Sequence, residues 1–169
     1  MSLLVAPDPA WRETARQEIE RWHKNVPGVV AVHHIGSTSV PGLPAKPIID
    51  LLPVFDRDET RENARSSVME LGYEWMGAYG LDGRSYARLI EPETGKRRVH
   101  AHGYTRDHPD IARHLAFRDI LRENAALRAA YTSIKAACAS KHPVGGPEYG
   151  ACKSRWIDKV EKRALERKT

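Results

Sequence analysis

The chain has 169 residues, 41% hydrophobic and 29% charged, with a formal net charge of +5, the profile of one globular domain rather than a disordered segment. No run approaches the roughly 20 apolar residues needed to cross a bilayer, and the opening MSLLVAPDPAW lacks the basic region of a signal peptide. Membrane, collagen, coiled-coil and disulfide-framework classes are therefore not expected.

Residues 8–26 read as an amphipathic helix, with Asp8 as N-cap, Pro9 at the first helical position, and Trp11, Ala15, Ile19, Trp22 and Val26 on one stripe. Pro27-Gly28 ends it, and the β-branched run Val29–Ile35 is a strand. Gly36 to Pro47, rich in glycine, proline and hydroxyl residues, is an ordered loop with room for one helical turn. Ile48–Phe55 reads as a strand buried on both faces, broken in character only by Asp50.

Asp56 to Leu71 reads as a second helix closed by Gly72. Strands are expected at 73–76, 85–91 and 97–104, the last two joined at Glu93-Thr94-Gly95 as a hairpin. Three helices follow, at about 110–122, 125–141 and 147–166. Cys138 and Cys152 show no CxxC or zinc spacing and read as small packing thiols in a reducing cytoplasm. In the last segment Lys153, Arg155, Lys159, Lys162, Arg163, Arg167 and Lys168 outweigh Asp158, Glu161 and Glu166. That balance suits a phosphate-bearing partner, but without interleaved aromatics it disfavours nucleic acid. The order of elements predicts a single α+β domain, a small mixed sheet over about 1–105 with packed helices over about 106–169.

Three features carry chemistry. Gly36-Ser37-Thr38 closes a strand with little bulk and two hydroxyls, equipment for holding phosphate oxygens, although the spacing to Lys46 is not that of a Walker A loop. The alternative is a tight structural turn. Asp50 is an acid within an apolar strand, so it must be paired, capped or bound to a metal. His100 and His102 alternate onto one strand face, where they can share a metal or divide acid–base and substrate contacts. Arg113 and Arg118 do not share a helix face well, so one is free to reach a site while the other pairs with Asp119. Lys135 and Lys153 read as surface residues that matter only if the fold brings them near Gly36.

The run HHIGSTSVPGLPAKPIIDLLPV, then VHAHGY, RHLAFRDILREN and the pairs Tyr131…Lys135 and Tyr149…Lys153, resembles the GrpB family over about residues 5–160. The resemblance implies the nucleotidyltransferase fold of the polymerase-β type. A GrpB-like domain also occurs fused to dephospho-CoA kinase, which points to a nucleotide-related role. In that fold a strand ending in Gly-Ser is followed by two carboxylates at i and i+2 that hold metal ions. Here Gly36-Ser37 and Asp50 match, but the second carboxylate position is Leu52. The implied site therefore has Asp50 and His102 as catalytic groups and Asp50, His100 and His102 as ligands of a divalent Mg²⁺ or Mn²⁺. Gly36, Ser37, Thr38, Lys46, Arg113 and Lys153 would contact a nucleotide or phosphorylated small molecule. Two functions remain open, a metal-dependent nucleotidyltransferase and a catalytically degenerate member that binds a ligand or partner. The oligomeric state is open as well.

Overall fold

Alternation and helical periodicity place most elements where the sequence predicts them in a computed structural model, which describes residues 3–167. Met1 and Ser2 of the opening segment, and Lys168 and Thr169 of the basic end, lie outside the described residues. Helix α1 spans Ala10–Asn25 and buries Trp11, Ala15 and Trp22. It begins one residue later than expected. Pro9 takes the cap position, and Asp8 Oδ1 still accepts the Ala10 N–H at 2.9 Å.

Strand β1 (Val29–Ile35) leads through a 3-10 turn, Ser37–Ser39, to β2 (Ile49–Phe55). The single helix expected over 56–71 is two helices, α2 (Asp58–Asn63) and α3 (Arg65–Glu70). The chain bends at Ala64, so that Arg61 turns inward to Thr105 and Ser85 while Val68 reaches the core. Strands β3 (Tyr73–Gly77), β4 (Arg84–Ile90) and β5 (Arg97–Thr105) follow, then helices α4 (Pro109–Glu123), α5 (Ala125–Lys141) and α6 (Gly146–Glu166).

The five strands form one mixed sheet in the order β1-β2-β5-β4-β3. Only β2 and β5 run parallel, and the expected β4–β5 hairpin is antiparallel. Pro53 tolerates a place in β2 because the β2–β5 pairs skip it, resuming at Val54 opposite Tyr104. Alternation splits the side chains of β2 and β5 between two layers. Leu51, Val99 and Ala101 pack with Trp22 of α1 and Val68 of α3. Leu52 and Tyr104 face the other way, with Ile35, onto Ile111 and Leu115 of α4. A further cluster joins Val40 and Leu43 of the loop after β1 to Ile120, Tyr131 and Val160 of α4, α5 and α6. The C-terminal helices thus pack against the loop that carries Gly36.

The reading of two free thiols is corrected. Cys138 and Cys152 are joined in a disulfide, Cα atoms 5.9 Å apart, which ties α5 to α6. Motif spacing cannot reveal a pair that meets only because two helices pack after an intervening loop, and the reducing compartment inferred from free thiols loses that support. Among the described residues no helix is long and apolar enough to cross a membrane.

Candidate functional site

Parallel pairing sets Asp50 opposite His100, and β1 sets Ile35 beside Asp50 on the other flank. One step further along β5, His102 shares that face. His102 Nε2 lies 3.4 Å and His100 Nδ1 3.6 Å from the same oxygen, Asp50 Oδ1, and the three candidate ligand atoms lie within 4.8 Å of one another. Burial by itself would raise the Asp50 pKa, but the two imidazoles outweigh it and hold the carboxyl well below the usual carboxylate range. His100 Nε2 is buried with no hydrogen-bond partner. The second carboxylate position is closed to ion binding, because Leu52 is fully buried against Ile35 and Tyr104.

The loop after β1 crosses directly over this carboxylate. Gly36 sits at φ +72°, and a Cβ there would stand 2.5 Å from Asp50 Oδ2. Only glycine allows the approach. The turn is held internally: Ser39 and Val40 N–H donate to Gly36 and Ser37 carbonyls, and Ser39 Oγ donates to Gly36 O at 2.6 Å. The Thr38 hydroxyl is also committed, bonded to His34 Nε2 at 2.9 Å and donating to Ile48 O. Ser37 Oγ accepts from Lys135 Nζ at 3.1 Å.

Four basic side chains converge here. Lys46, Arg97, Lys135 and Lys153 line a cleft of about 290 Å³ together with Ser37, Thr38, Asp50 and His100. Helix α6 contributes Gly146, Tyr149, Gly150 and Lys153, one face at helical spacing. The Lys46 and Lys153 ammoniums lie 4.4 and 4.1 Å from the centroid of the Tyr149 ring, a cation–π anchor for both. Lys135 also donates to Pro44 O and lies 4.9 Å from the Tyr131 ring centroid. Burial, reinforced by Lys153, lowers Lys135 to about 7. Burial, reinforced by Lys46 and opposed by Asp50, lowers Lys153 to about 8. A cleft with four basic groups and one carboxylate carries a positive field suited to a polyanion.

Ser37, Thr38, Lys46, Asp50, His100 and Lys153, all singled out from the sequence, line this cleft. Gly36 and His102 lie against Asp50. Arg113 is elsewhere. Its guanidinium is held 2.9 Å from both Asp110 Oδ1 and Glu161 Oε1 and does not line the cleft. Arg118 is the arginine that pairs with Asp119. Lys135, read from sequence as surface, is 1% exposed, and Arg97 and Tyr149 were not singled out as anion contacts. The signal for Lys135 was its place between Tyr131 and Cys138, which form the buried stripe of α5 with it. A larger groove of about 850 Å³ lies beyond Thr38, lined by Trp11, His34 and Arg122, and holds none of the Asp50, His100, Lys135 and Lys153 group.

The chain matches the GrpB protein family model over residues 3–163. It is 36% identical over 162 residues to the UPF0157 protein YqkA of Bacillus subtilis, covering 95% of this chain and 46% of that protein, so it spans about half of that relative's length. The crystal structure of the conserved protein GrpB from Enterococcus faecalis superposes with a TM-score of 0.88 at 40% identity, covering 97% of this chain and 98% of that one. Crystal structures of the Cid1 poly(U) polymerase, one of them with MgGTP bound, superpose with a TM-score of 0.58 at 12% identity, over 88% of this chain and 50% of that one. At that identity the likeness concerns the fold alone, which is nucleotidyltransferase-like.

Proposed function

The chain belongs to the GrpB family, and from that membership we propose that it binds a nucleotide or another phosphorylated small molecule in the cleft between Asp50 and Lys153. One observation carries this reading: Lys46, Arg97, Lys135 and Lys153 face a single carboxylate across one small cleft. Lysine and arginine at such a place bind phosphate oxygens, and the Ser37 hydroxyl adds a neutral contact. Asp50, His100 and His102 would hold one divalent cation beside the phosphates. When bound, such an ion neutralises phosphate charge and polarises the phosphoryl oxygens. The residues themselves orient the anion and hold it against the floor of the sheet.

A second reading is favoured by Leu52. With an apolar, fully buried side chain in place of the second carboxylate, the site lacks a bridging ligand for two ions, and binding without group transfer fits this chain. Both readings predict an anion site and differ only in turnover. Calorimetric titration with nucleoside triphosphates and with inorganic tripolyphosphate tests the shared claim. Binding should weaken at least about tenfold in Lys153→Ala, the loss of one charge-assisted contact. Unchanged binding in Lys153→Ala and Lys46→Ala together would sink the cleft as the site. Release of pyrophosphate from a nucleoside triphosphate, with an added hydroxyl compound or water taking the nucleotidyl group, would decide for turnover over binding alone.

A further inference from the structure

Within the reading that this centre holds a cation beside the phosphates, we propose that Asp50, His100 and His102 select a single transition-metal ion, Zn²⁺ foremost, over Mg²⁺. The donor set is two imidazole nitrogens and one carboxylate oxygen. Imidazole suits zinc, iron, nickel and copper, whereas Mg²⁺ takes oxygen ligands and water in near-ideal octahedra. Among the described residues no other acidic group joins this cluster, and the position that would add a carboxylate carries buried Leu52.

The spacing agrees with the chemistry. Asp50 Oδ1 lies 3.4 Å from His102 Nε2 and 3.6 Å from His100 Nδ1, long for hydrogen bonds. All three donor atoms lie within 4.8 Å of one another, close enough for one ion to draw them together. His100 presents Nδ1 to Asp50, while its Nε2 is buried without a hydrogen-bond partner among the described residues.

The test uses the full chain, stripped by dialysis against a chelator and titrated calorimetrically with Zn²⁺, Mn²⁺ and Mg²⁺ salts, with metal content per chain measured alongside. One Zn²⁺ per chain is expected, bound at least about 100-fold tighter than Mg²⁺, with Mn²⁺ between them. Co²⁺ should give the intense visible absorption of a tetrahedral centre. Zn²⁺ affinity should fall by more than the about 10- to 100-fold that loss of an outer-shell partner costs in His102→Asn, and His102→Asp should shift the order toward Mg²⁺, with folding of each variant checked by circular dichroism. Mg²⁺ binding as tight as Zn²⁺, or Zn²⁺ affinity unchanged in both Asp50→Asn and His102→Asn, would overturn the inference. Tripolyphosphate titrated in the presence of chelator separates the two claims. Binding retained there leaves the anion cleft standing even if the metal order fails, and binding left unchanged in Lys153→Ala and Lys46→Ala together, with or without metal, strikes the cleft while the metal order stands.

Discussion

Lys135 offers the sharpest test of how this cleft is built. It is 1% exposed, and burial, with Lys153 nearby, lowers its pKa from 10.5 to about 7. The unfolded chain protonates at the higher value and the folded chain at the lower. Between them the unfolded state therefore binds the extra proton, and stability rises with pH across that window. Below about pH 7 the cost of burying the charge is present in full. Over the shift it amounts to something on the order of 5 kcal/mol, at 1.36 kcal/mol per unit. Lys135→Met keeps the unbranched stem and removes the charge, at the loss of bonds to Ser37 Oγ and Pro44 O worth about 1–2 kcal/mol together. The variant should thus exceed the wild type by a few kcal/mol in urea denaturation near pH 6. Its advantage should shrink by about 1.4 kcal/mol per pH unit above pH 7 and vanish by about pH 10. Triphosphate affinity should fall at the same time, the usual exchange of stability for function. A difference between variant and wild type that stays constant with pH would refute the argument.

Gly36→Ala places a Cβ 2.5 Å from Asp50 Oδ2 at a positive φ. It should cost about 1–3 kcal/mol in urea denaturation and weaken metal binding with it. Leu52→Asp supplies the second carboxylate of the wider fold, but it places the carboxylate between Ile35 and Tyr104 without a partner. Destabilisation of about 3–5 kcal/mol is expected in thermal or urea melts, with no gain in Mg²⁺ affinity. Cys138→Ser with Cys152→Ser opens a loop whose ends are 14 residues apart, and stability should drop by about 3 kcal/mol. Because Lys135 and Lys153 stand on the two stapled helices, calorimetry should show the affinity for tripolyphosphate falling as well.

Much of this molecule was legible before its structure. Asp50 announced itself as a charge in a buried strand, and the alternation of His100 and His102 fixed their shared face. The parallel register that brings them together required only that β5 lie beside β2. Tyr149 and Lys153 stood out only as a pair within the family resemblance, and Lys153 read by itself as a surface residue. Other features depended on elements distant in sequence. Ser37 and Lys135 are 98 residues apart, and no local pattern shows that a lysine on a buried helical stripe ends at a serine hydroxyl rather than in solvent. Arg113 misled because its charge is spent on Asp110 and on Glu161, 48 residues away. The break at Ala64 was invisible for a similar reason, since propensity favours one helix there and the burial of Arg61 and Val68 favours two.

The clustering of Lys46, Arg97, Lys135 and Lys153 leaves a pocket of frustration inside an otherwise consistent fold. Like charges on the loop, the start of the central strand and two helices repel one another until an anion arrives. The cheapest local opening of the molecule is therefore expected in α5 and α6, with the Cys138–Cys152 bond limiting how far they part. Amide exchange should be fastest along those helices without a ligand and slow sharply when phosphate fills the cleft. On the proposed anion binding, occupancy of this small site would govern the rigidity of α5 and α6.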